Sequence, residues 1–554
     1  MLAVITIGYM TLSRVEAGQI RGEHMQSSAV GPIRLVEAKM PGMTTGNTVY
    51  RAHDASYPGA YRAALRHTMQ ARHLSSITLQ KRDAVQALYK QRDYRPIWTH
   101  LGRAPAANYK ALVRRLENSW THGLNPDQYR VQLLKKLAHK DKSSAVVTRE
   151  ILASDALIRY VSDLIGPRTM DKAQAHKKYG WRKPVDVVRI LRQIGGGRNL
   201  DDLINALLPN GRTYAQMRNK MRDLARRYRY NTDEKRVRVE FDGILRPGDS
   251  HDAVRTLRKR LDVPPENNRP DHVYGDPLAK AVTALQAKNG LDTDAIVGPA
   301  TRNAMNRGVE DKIDQLIANM QRMRWLAPNR PRRYLIVNIP AARLWAVDDG
   351  RVVHSMDVIA GRPSRETASF VTRAEGVRLN PEWSIPYTVK FRDVLPKIRE
   401  DISYLAENNI RLVRGYGRNA HRLDPRAVDW NNVPRAKLAR MRMIQQPGAD
   451  NPLGHIRILM PNRFSIFLHD TDKPEYFDKG RFWISSGCVR MREPEKVADF
   501  VMNTTPGWSR TRMQNKLKRK EPVDLEAGSK MPVYILYHTI WQRSDGELVF
   551  GPDI

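Results

Sequence analysis

The chain has only one cysteine, Cys488, among its 554 residues. A single thiol cannot form an intramolecular disulfide, so the folded chain depends on its apolar core for stability. It also cannot complete a closed zinc site with the nearby His469, because such sites use about four protein ligands. Neither zinc-finger spacing nor a Walker phosphate loop occurs elsewhere in the sequence. We therefore expect neither a metal site nor a nucleotide cofactor.

Acidic residues are scarce relative to basic ones. The chain has 58 Asp and Glu against 94 Lys and Arg, which gives a net charge of +36 at pH 7. Such an excess predicts an anionic partner. The aromatic signature of RNA-binding modules is missing, and so are the spacings of DNA-binding motifs, so no nucleic acid is expected. An anionic polymer other than nucleic acid is an equally suitable partner for a chain with this charge.

Long apolar runs are missing as well. An apolar run at the N-terminus, Leu2–Leu12, is too short for a typical transmembrane helix. Small residues follow at Val15–Ala17, so residues 1–18 are predicted to be a secretory signal peptide or an uncleaved anchor, with a disordered N-terminus as the alternative. Residues 19–75 are polar, with scattered Gly, Pro, Ser and Thr, and are predicted to be a linker.

The cysteine lies in the segment Phe464–Met491, which also contains His469, 19 residues before it. Apolar runs at Phe464–Leu468 and Phe482–Ile484 flank a polar stretch that contains a proline and a glycine. This pattern is typical of two strands joined by a loop. We expect a hairpin-like pair that brings the histidine and the cysteine together at the strand ends.

A thiol and an imidazole together suggest nucleophilic catalysis. An adjacent imidazole can take the proton of Cys488 to form a reactive ion pair. Arg490 would add positive potential or grip a carboxylate, and the backbone N–H groups of Gly487 and Cys488 would serve an oxyanion. The alternatives are a buried structural cysteine and a structural histidine. A papain-type arrangement is excluded, because there the cysteine precedes the histidine.

Two motifs carry a resemblance to a known family: His469-Asp470-Thr471 and Ser485-Ser486-Gly487-Cys488-Val489-Arg490-Met491. They resemble the signature of the L,D-transpeptidases with a YkuD-type catalytic domain. The resemblance implies that Cys488 is the nucleophile and His469 the general acid and base. It leaves the group that orients the imidazole open between the carbonyl of Asp470 and Ser486. The other site residues that we expect are Gly487 beside the oxyanion and Ser485, Arg490 and Trp383 at the substrate.

The region before this domain has a helical pattern. Apolar residues recur at helical spacing across 76–240, and Tyr89–Trp98 resembles the helical scaffold region of larger family members. Residues 241–308 resemble the three-helix peptidoglycan-binding domain. Its landmarks here are Gly248-Asp249, Leu285-Gln286, Gly290-Leu291 and Gly298-Pro299. His251 stands where such repeats usually have glycine, so a helical spacer without sugar affinity is the alternative.

The period of the pattern changes in the C-terminal half. Residues 309–332 predict a linking helix, after which apolar residues alternate as in strands. We expect the catalytic domain at 333–505 and a C-terminal extension at 506–554. An Arg-rich insertion at about 391–442 corresponds to a subdomain that caps the active site in large family members, with an ordinary surface loop as the alternative. The expected fold class is a multidomain α+β protein, with a helical scaffold, a three-helix module and a mostly β catalytic domain.

The resemblance also implies an activity. The thiolate would attack the carbonyl between the third stem-peptide residue and D-alanine, and an amine of a second stem would resolve the thioester into a 3→3 cross-link without a cofactor. Peptidoglycan stem peptides and glycan are the implied partners. The implied location is the periplasm or cell envelope. Membrane association through the N-terminus and the oligomeric state stay open.

Three other functions use the same sequence features. The first is hydrolysis of the same bond by the Cys–His pair, with water as the acceptor. The second is a non-catalytic scaffold that binds the cell wall. The third, a sortase-like transpeptidase, fits less well, because its arginine lies well beyond the cysteine. The acceptor itself also stays open between a second stem, a lipoprotein lysine and a free D-amino acid.

Overall fold

The computed structural model describes residues 57–70, 82–100, 104–140, 142–165, 185–229, 237–328, 330–416 and 420–554. The predicted signal peptide or anchor at 1–18 lies outside the described residues, as does most of the predicted linker at 19–75. Within the described stretches, no helix combines the length and the apolarity needed to cross a bilayer.

The first part of the chain is a helical domain, as the periodicity predicted. Its helices are α1 Tyr57–Gln70, α2 Arg82–Gln91, α3 Ala107–Glu117, α4 Val131–Ala138, α5 Ser143–Ile165, α6 Val187–Gly195, α7 Leu200–Asn205 and α8 Arg212–Arg229. A short ribbon of β1 Thr99–His100 and β2 Ala104–Pro105 and two 3₁₀ turns, Ser119–His122 and Pro126–Tyr129, join them. Helix α5 packs against several of the others, and its Ile151, Leu157 and Val161 are fully buried.

Helix α1 corrects the linker prediction. Tyr61, Leu65 and Met69 recur every four residues, so they share one face of the helix. All three are buried in the core of the helical domain. The polar average composition of 19–75 concealed this apolar stripe.

A small domain with its own core follows. Its helices are α9 Ala253–Leu261, α10 Asp276–Lys288 and α11 Pro299–Asn306. Its core includes Val254, Leu257, Leu278, Val282 and Val297. The predicted three-helix fold is therefore confirmed. The next helix, α12 Val309–Arg324, buries Leu316 and Met320 in the core of the helical domain, so it is a packed element of that domain.

The C-terminal part is mostly β, as predicted. Its strands in chain order are β3 Arg333–Asn338, β4 Arg343–Asp348, β5 Arg351–Gly361, β6 Phe370–Leu379, β7 Trp383–Ser384, β8 Ile410–Arg414, β9 His421–Arg422, β10 Met441–Gln445, β11 Ile456–Leu459, β12 Leu468–His469, β13 Trp483–Ser485, β14 Val489–Met491 and β15 Val523–Leu536. The main sheet has the order β13-β5-β14-β12-β11-β6-β15-β3-β4. Because β4 also pairs with β5, this sheet curls back on itself.

The insertion is a folded subdomain with a core of its own. Strands β7, β10, β8 and β9 form a second sheet in that order. Its helices are α13 Tyr387–Val389, the π-helical turn Lys390–Val394, α14 Leu395–Glu400, α15 Ser403–Glu407, the 3₁₀ turn Pro425–Ala427 and α16 Arg435–Arg440. Leu395, Leu412 and Leu438 are among the residues buried between sheet and helices. An ordinary surface loop would have no such core.

The predicted domain boundary at residue 505 is wrong. Three more helices, α17 Glu475–Asp478, α18 Pro494–Met502 and α19 Arg510–Lys518, precede β15. Strand β15 then lies between β6 and β3 in the main sheet, so it is integral to the catalytic domain. The charged helix α19 separates this strand from the rest in sequence, which made it look like an extension.

Residues 538–551, here called the C-terminal clasp, join the parts together. They contain the hairpin of β16 Ile540–Gln542 and β17 Leu548–Phe550. Asn319 Nδ2 of α12 donates to Thr539 Oγ1 at 2.8 Å, and Gln216 Nε2 of α8 donates to the Gly546 carbonyl at 2.9 Å. The Trp541 ring packs so closely on Gly290 of the three-helix domain that a Cβ there would lie 2.7 Å from it.

Candidate active site

The residues before Cys488 form a turn fixed from within by Ser485. Gly487 has a φ of +113°, a backbone angle that other residues rarely adopt. Ser485 Oγ donates to the Cys488 carbonyl at 2.6 Å and accepts the Gly487 N–H at 3.1 Å. The buried Ser485 therefore shapes the turn, and its hydroxyl is not free to contact a substrate as the sequence suggested. The Gly487 N–H, expected beside an oxyanion, is likewise already donated.

Thr367 holds the same turn from the other side. Its hydroxyl donates to the Gly487 carbonyl at 2.8 Å and accepts the Gly361 N–H at 2.8 Å. The chain folds back so tightly here that a Cβ on Gly361 would lie 2.2 Å from the Arg365 carbonyl oxygen. Cys488 thus follows a turn that two buried hydroxyls brace. Thr367 was not among the expected site residues, because its role depends on this long-range contact.

His469 lies on β12, and Cys488 immediately precedes β14, the parallel neighbour of β12. Leu468 of β12 is opposite Val489 of β14, and His469 is opposite Arg490. The predicted hairpin is wrong: the chain crosses over through α17 and β13, and β13 pairs with β5. Parallel pairing requires such a crossover. The Sγ atom of Cys488 lies 3.6 Å from the carbonyl oxygen of Ser465, in the segment just before β12.

The imidazole of His469 is held in one tautomer. Its Nδ1 lies 2.5 Å from the carbonyl oxygen of Asp470, which can only accept a hydrogen bond. Nδ1 therefore carries the proton, and Nε2 keeps its lone pair. The Asp470 carboxylate is engaged elsewhere, since it accepts the backbone N–H groups of His455 at 2.8 Å and Thr471 at 2.7 Å.

Ser486, the other candidate for orienting the imidazole, has different partners. It is exposed, and its hydroxyl accepts from Arg365 Nη1 at 3.0 Å and from Arg362 Nη2 at 3.4 Å. Arg365 also donates to Asp393 Oδ2 at 2.9 Å, and Asp393 belongs to the π-helical turn of the insertion. Ser486 therefore links the cysteine turn to the insertion.

Burial sets the charge state of the pair. The His469 side chain is 3% exposed, and burial, with help from the nearby Arg490 guanidinium, lowers its pKa to about 3. Cys488 is partly exposed, yet its dense surroundings raise the thiol pKa against the opposing effects of a backbone hydrogen bond from Phe467 and of two arginines. At neutral pH the residues are therefore a thiol and a neutral imidazole, not the expected ion pair.

Arg490 is tied to the loop that follows His469. Its Nη1 donates to Thr471 Oγ1 at 3.2 Å and lies 3.8 Å from Asp472 Oδ1. Trp383, expected at the substrate, lies instead in β7, where it pairs with Gln445 and packs against the insertion core. Trp383 thus contacts the insertion core, and its contact with a substrate stays a prediction.

A second arginine, Arg457, lies on β11 directly opposite His469 and was not predicted. Its guanidinium carbon lies 4.5 Å from the centre of the Phe467 ring. The register of β11 with β12, which places it there, leaves no mark in the sequence. Across the described stretches, no cluster of three or more His, Cys, Asp or Glu side chains could hold a metal ion.

Comparison with known families identifies three regions of the chain. Residues 332–525 match the L,D-transpeptidase catalytic domain (YkuD), residues 83–221 match the Scaffold domain, and residues 250–305 match the "Putative peptidoglycan binding domain". A Haemophilus influenzae protein described as a "Putative L,D-transpeptidase" is 31% identical over 246 residues, which is 44% of this chain and 48% of that protein. The chain thus spans about half the length of this curated relative.

Solved L,D-transpeptidases show only partial likeness. The enzyme from Mycobacterium smegmatis is 10% identical, with a TM-score of 0.18, over 37% of this chain and 58% of that one. The enzyme from Xylanimonas cellulosilytica is 14% identical, with a TM-score of 0.17, over 54% of this chain and 99% of that one. Similarity this low does not identify any residue of the site.

The family matches agree with the fold. The helical domain, the three-helix domain and the mostly β domain coincide with the three matched regions. The single cysteine and His469 both lie within the matched catalytic region. The chain therefore contains a region that matches the YkuD L,D-transpeptidase catalytic domain, together with regions that match a scaffold domain and a peptidoglycan-binding domain.

Proposed function

We propose that the protein is a peptidoglycan L,D-transpeptidase that forms 3→3 cross-links through a thioester on Cys488. The observation that carries this proposal is the arrangement of His469: a neutral imidazole, fixed through Nδ1, on the strand that pairs with the residues immediately after the only thiol of the chain. Its location in a domain of the L,D-transpeptidase family names the reaction class.

Acylation begins with the transfer of the Cys488 proton to His469 Nε2. The thiolate forms a C–S bond with the carbonyl carbon between the third stem residue and D-alanine, and the carbonyl electrons move to oxygen. The Cys488 N–H is the backbone donor of the turn that remains to stabilise this oxyanion, because Ser485 holds the Gly487 N–H. When the oxyanion collapses, the C–N bond breaks, and the imidazolium protonates the departing D-alanine amine.

Deacylation reverses these roles with a different amine. The side-chain amine of a second stem attacks the thioester while His469 Nε2 accepts its proton. The C–S bond breaks, the thiolate takes the proton back from the imidazolium, and an amide is formed. The free energy of the cleaved amide is retained in the thioester, so the reaction balances without a nucleotide or a metal.

The remaining parts of the chain suit delivery to the cell wall. A net charge of +36 favours the anionic polymer, and the peptidoglycan-binding domain is held next to the catalytic domain by the C-terminal clasp. We infer from these features that the protein acts on peptidoglycan stem peptides and glycan in the cell envelope.

Mass spectrometry of reaction products tests the proposal. The purified protein, Cys488→Ala and His469→Gln would each be incubated with a disaccharide-tetrapeptide. We expect a cross-linked dimer that has lost one D-alanine from the wild-type protein, and a mass increase on Cys488 that corresponds to the acyl-enzyme. His469→Gln should acylate at least about 100-fold more slowly, since general-base catalysis contributes at least that factor.

The alternatives predict different products. Monomeric tripeptide without dimer would identify a hydrolase, and products that persist in Cys488→Ala would contradict the role of the thiol. Binding to intact wall without any product, under conditions in which the wild type is folded, would favour a non-catalytic scaffold.

A further inference from the structure

A row of charged side chains crosses the catalytic sheet at His469. The strand registers place Arg490, His469, Arg457, Arg378 and Asp524 side by side on β14, β12, β11, β6 and β15. Directly paired residues point to the same face of a sheet, so these five share one face, which includes the candidate base His469. The opposite face holds the apolar core, where Leu468 and Val489 are fully buried.

The two outer arginines of this row already have acidic partners. Arg378 Nη2 donates to Asp524 Oδ2 at 2.5 Å, and a second hydrogen bond from its Nε makes the pair bidentate. Arg490 lies beside Asp472 and donates to Thr471. Each of these charges is balanced by a carboxylate in the folded chain.

Arg457 is different. Among the residues that the structure describes, no carboxylate lies within salt-bridge distance of it, and its buried Nε has no hydrogen-bond partner. Burial and the neighbouring Arg378 lower the pKa of its guanidinium. A partly buried guanidinium without a counter-charge is unfavourable, and an incoming anion would remove that cost.

The position of Arg457 directs this charge towards the sulfur. Its guanidinium lies over the ring of Phe467, whose carbonyl accepts the N–H of Val489, the residue after Cys488. Arg457 also lowers the thiol pKa more than Arg490 does. The unbalanced charge of the row is therefore one that acts on the thiol.

We propose that Arg457 is the specificity-determining residue of the donor site and binds a carboxylate of the acyl-donor stem peptide. The proposal rests on the transpeptidase function proposed above. An arginine fork matches a carboxylate geometrically, and Arg457 is the arginine of this row that has no carboxylate within salt-bridge distance among the described residues. A tetrapeptide donor offers two such carboxylates near the scissile bond: the C-terminus of the leaving D-alanine and the side-chain carboxylate of a diaminopimelate at the third position.

Three donors separate these sources: the parent tetrapeptide, its C-terminal carboxamide and its side-chain carboxamide. Acylation of Cys488 would be measured for each by mass spectrometry of the intact protein. We expect wild-type kcat/KM to fall about 10- to 100-fold for one of the two amides, as for the loss of a hydrogen bond to a charged group. In Arg457→Gln the parent should be as slow as that amide, whereas the amide itself should react about as in the wild type.

Arg373→Gln is the matched control, because it removes an exposed positive charge from the same sheet, and it should keep the wild-type preference. Arg457→Lys should restore part of the wild-type donor preference that Arg457→Gln loses. A wild type that acylates all three donors equally would overturn the inference but leave the proposed function standing. An equal fall for all donors in Arg457→Gln would show that the residue acts only through the thiol, which also overturns it. A wild type that acylates with none would refute both proposals.

Discussion

Burial keeps the side chain of Cys488 in the protonated thiol form at neutral pH. Because burial raises the thiol pKa, the thiolate should form only above the pH at which ordinary cysteines ionise, about 8.5. Alkylation of the folded protein by iodoacetamide should therefore rise with a midpoint above this value. The same protein in urea is the control, since it has one thiol and no burial. A midpoint below neutral pH in the folded protein would indicate an ion pair instead.

A substitution at Thr367 tests whether its hydroxyl holds the cysteine turn in place. In Thr367→Val the Gly487 carbonyl and the Gly361 N–H both lose their partner, which should cost about 1–3 kcal/mol of stability and misplace the cysteine turn. Thr372→Val is matched, because the buried Thr372 hydroxyl donates to the Pro461 carbonyl at 2.6 Å. Both variants should lower the free energy of unfolding, but only Thr367→Val should slow acylation. Equal rates in the two variants would contradict the role of Thr367.

The site residues could be predicted from sequence only where the motif carries them. Cys488 and His469 stand in a dense motif, so their types and spacing sufficed to select them. Arg457 and Thr367 are ordinary residues in sequence, and their positions depend on strand register and on a loop that folds back. The motif did not indicate that the Ser485 hydroxyl is hydrogen-bonded inside the turn, because a sequence shows which residues are adjacent but not where their side chains point.

At the scale of the elements, the insertion is joined to the cysteine turn by one short chain of contacts. Arg365 donates both to Asp393 of the insertion and to Ser486 beside Cys488. Asp393→Asn should weaken this link at a cost of less than about 1 kcal/mol, because Asp393 is exposed. If the insertion shields the thioester from water, the ratio of hydrolysed to cross-linked product should rise a few-fold.

Asp401→Asn provides the control within the same insertion. The carboxylate of Asp401 accepts hydrogen bonds from Ser403 in an exposed turn, and no contact joins it to Arg365 among the described residues. This variant should leave the product ratio unchanged. An unchanged ratio in Asp393→Asn as well would show that the link does not control access of water.

The elements differ in how far sequence could predict them. Helical periodicity and the alternation of apolar residues after residue 332 predicted the element types correctly, because each is a local signal. The parallel pairing of β12 with β14 and the central place of β15 depend on partners far apart in the chain. Helix α1 was not predicted, because polar neighbours lower the average apolarity of the segment that contains its three buried apolar residues.

At the scale of the whole molecule, buried neutral histidines make stability depend on pH. His469 and His122 are 3% and 4% exposed, and burial lowers the pKa of both, to about 3 for His469. The unfolded chain binds protons below its ordinary histidine pKa of about 6.5, whereas the folded chain does not. The stabilisation that these two neutral histidines contribute is therefore fully present above about pH 6.5. It decreases as the pH falls, by up to about 1.4 kcal/mol per pH unit for each histidine.

Thermal unfolding measured between about pH 7 and pH 4 checks this expectation. The midpoint should fall steadily below about pH 6.5, and His122→Gln should fall less steeply than the wild type. His139→Gln, in which an exposed histidine is removed, should follow the wild-type curve. A midpoint that is constant down to about pH 4 would contradict the assignment of both histidines as neutral.

The C-terminal clasp also affects the order in which the molecule assembles. Gln216 and Gly546 touch across 330 positions of sequence, and Asn319 and Ile540 across 221. Contacts so distant form late in folding, because a long loop must close before they contribute. The core of the helical domain itself includes Ile540 and Phe550, so this core is complete only after residues 538–551 have been synthesised. We therefore expect the docking of the clasp to be a late step of folding, because the long loops between its contacts must close first.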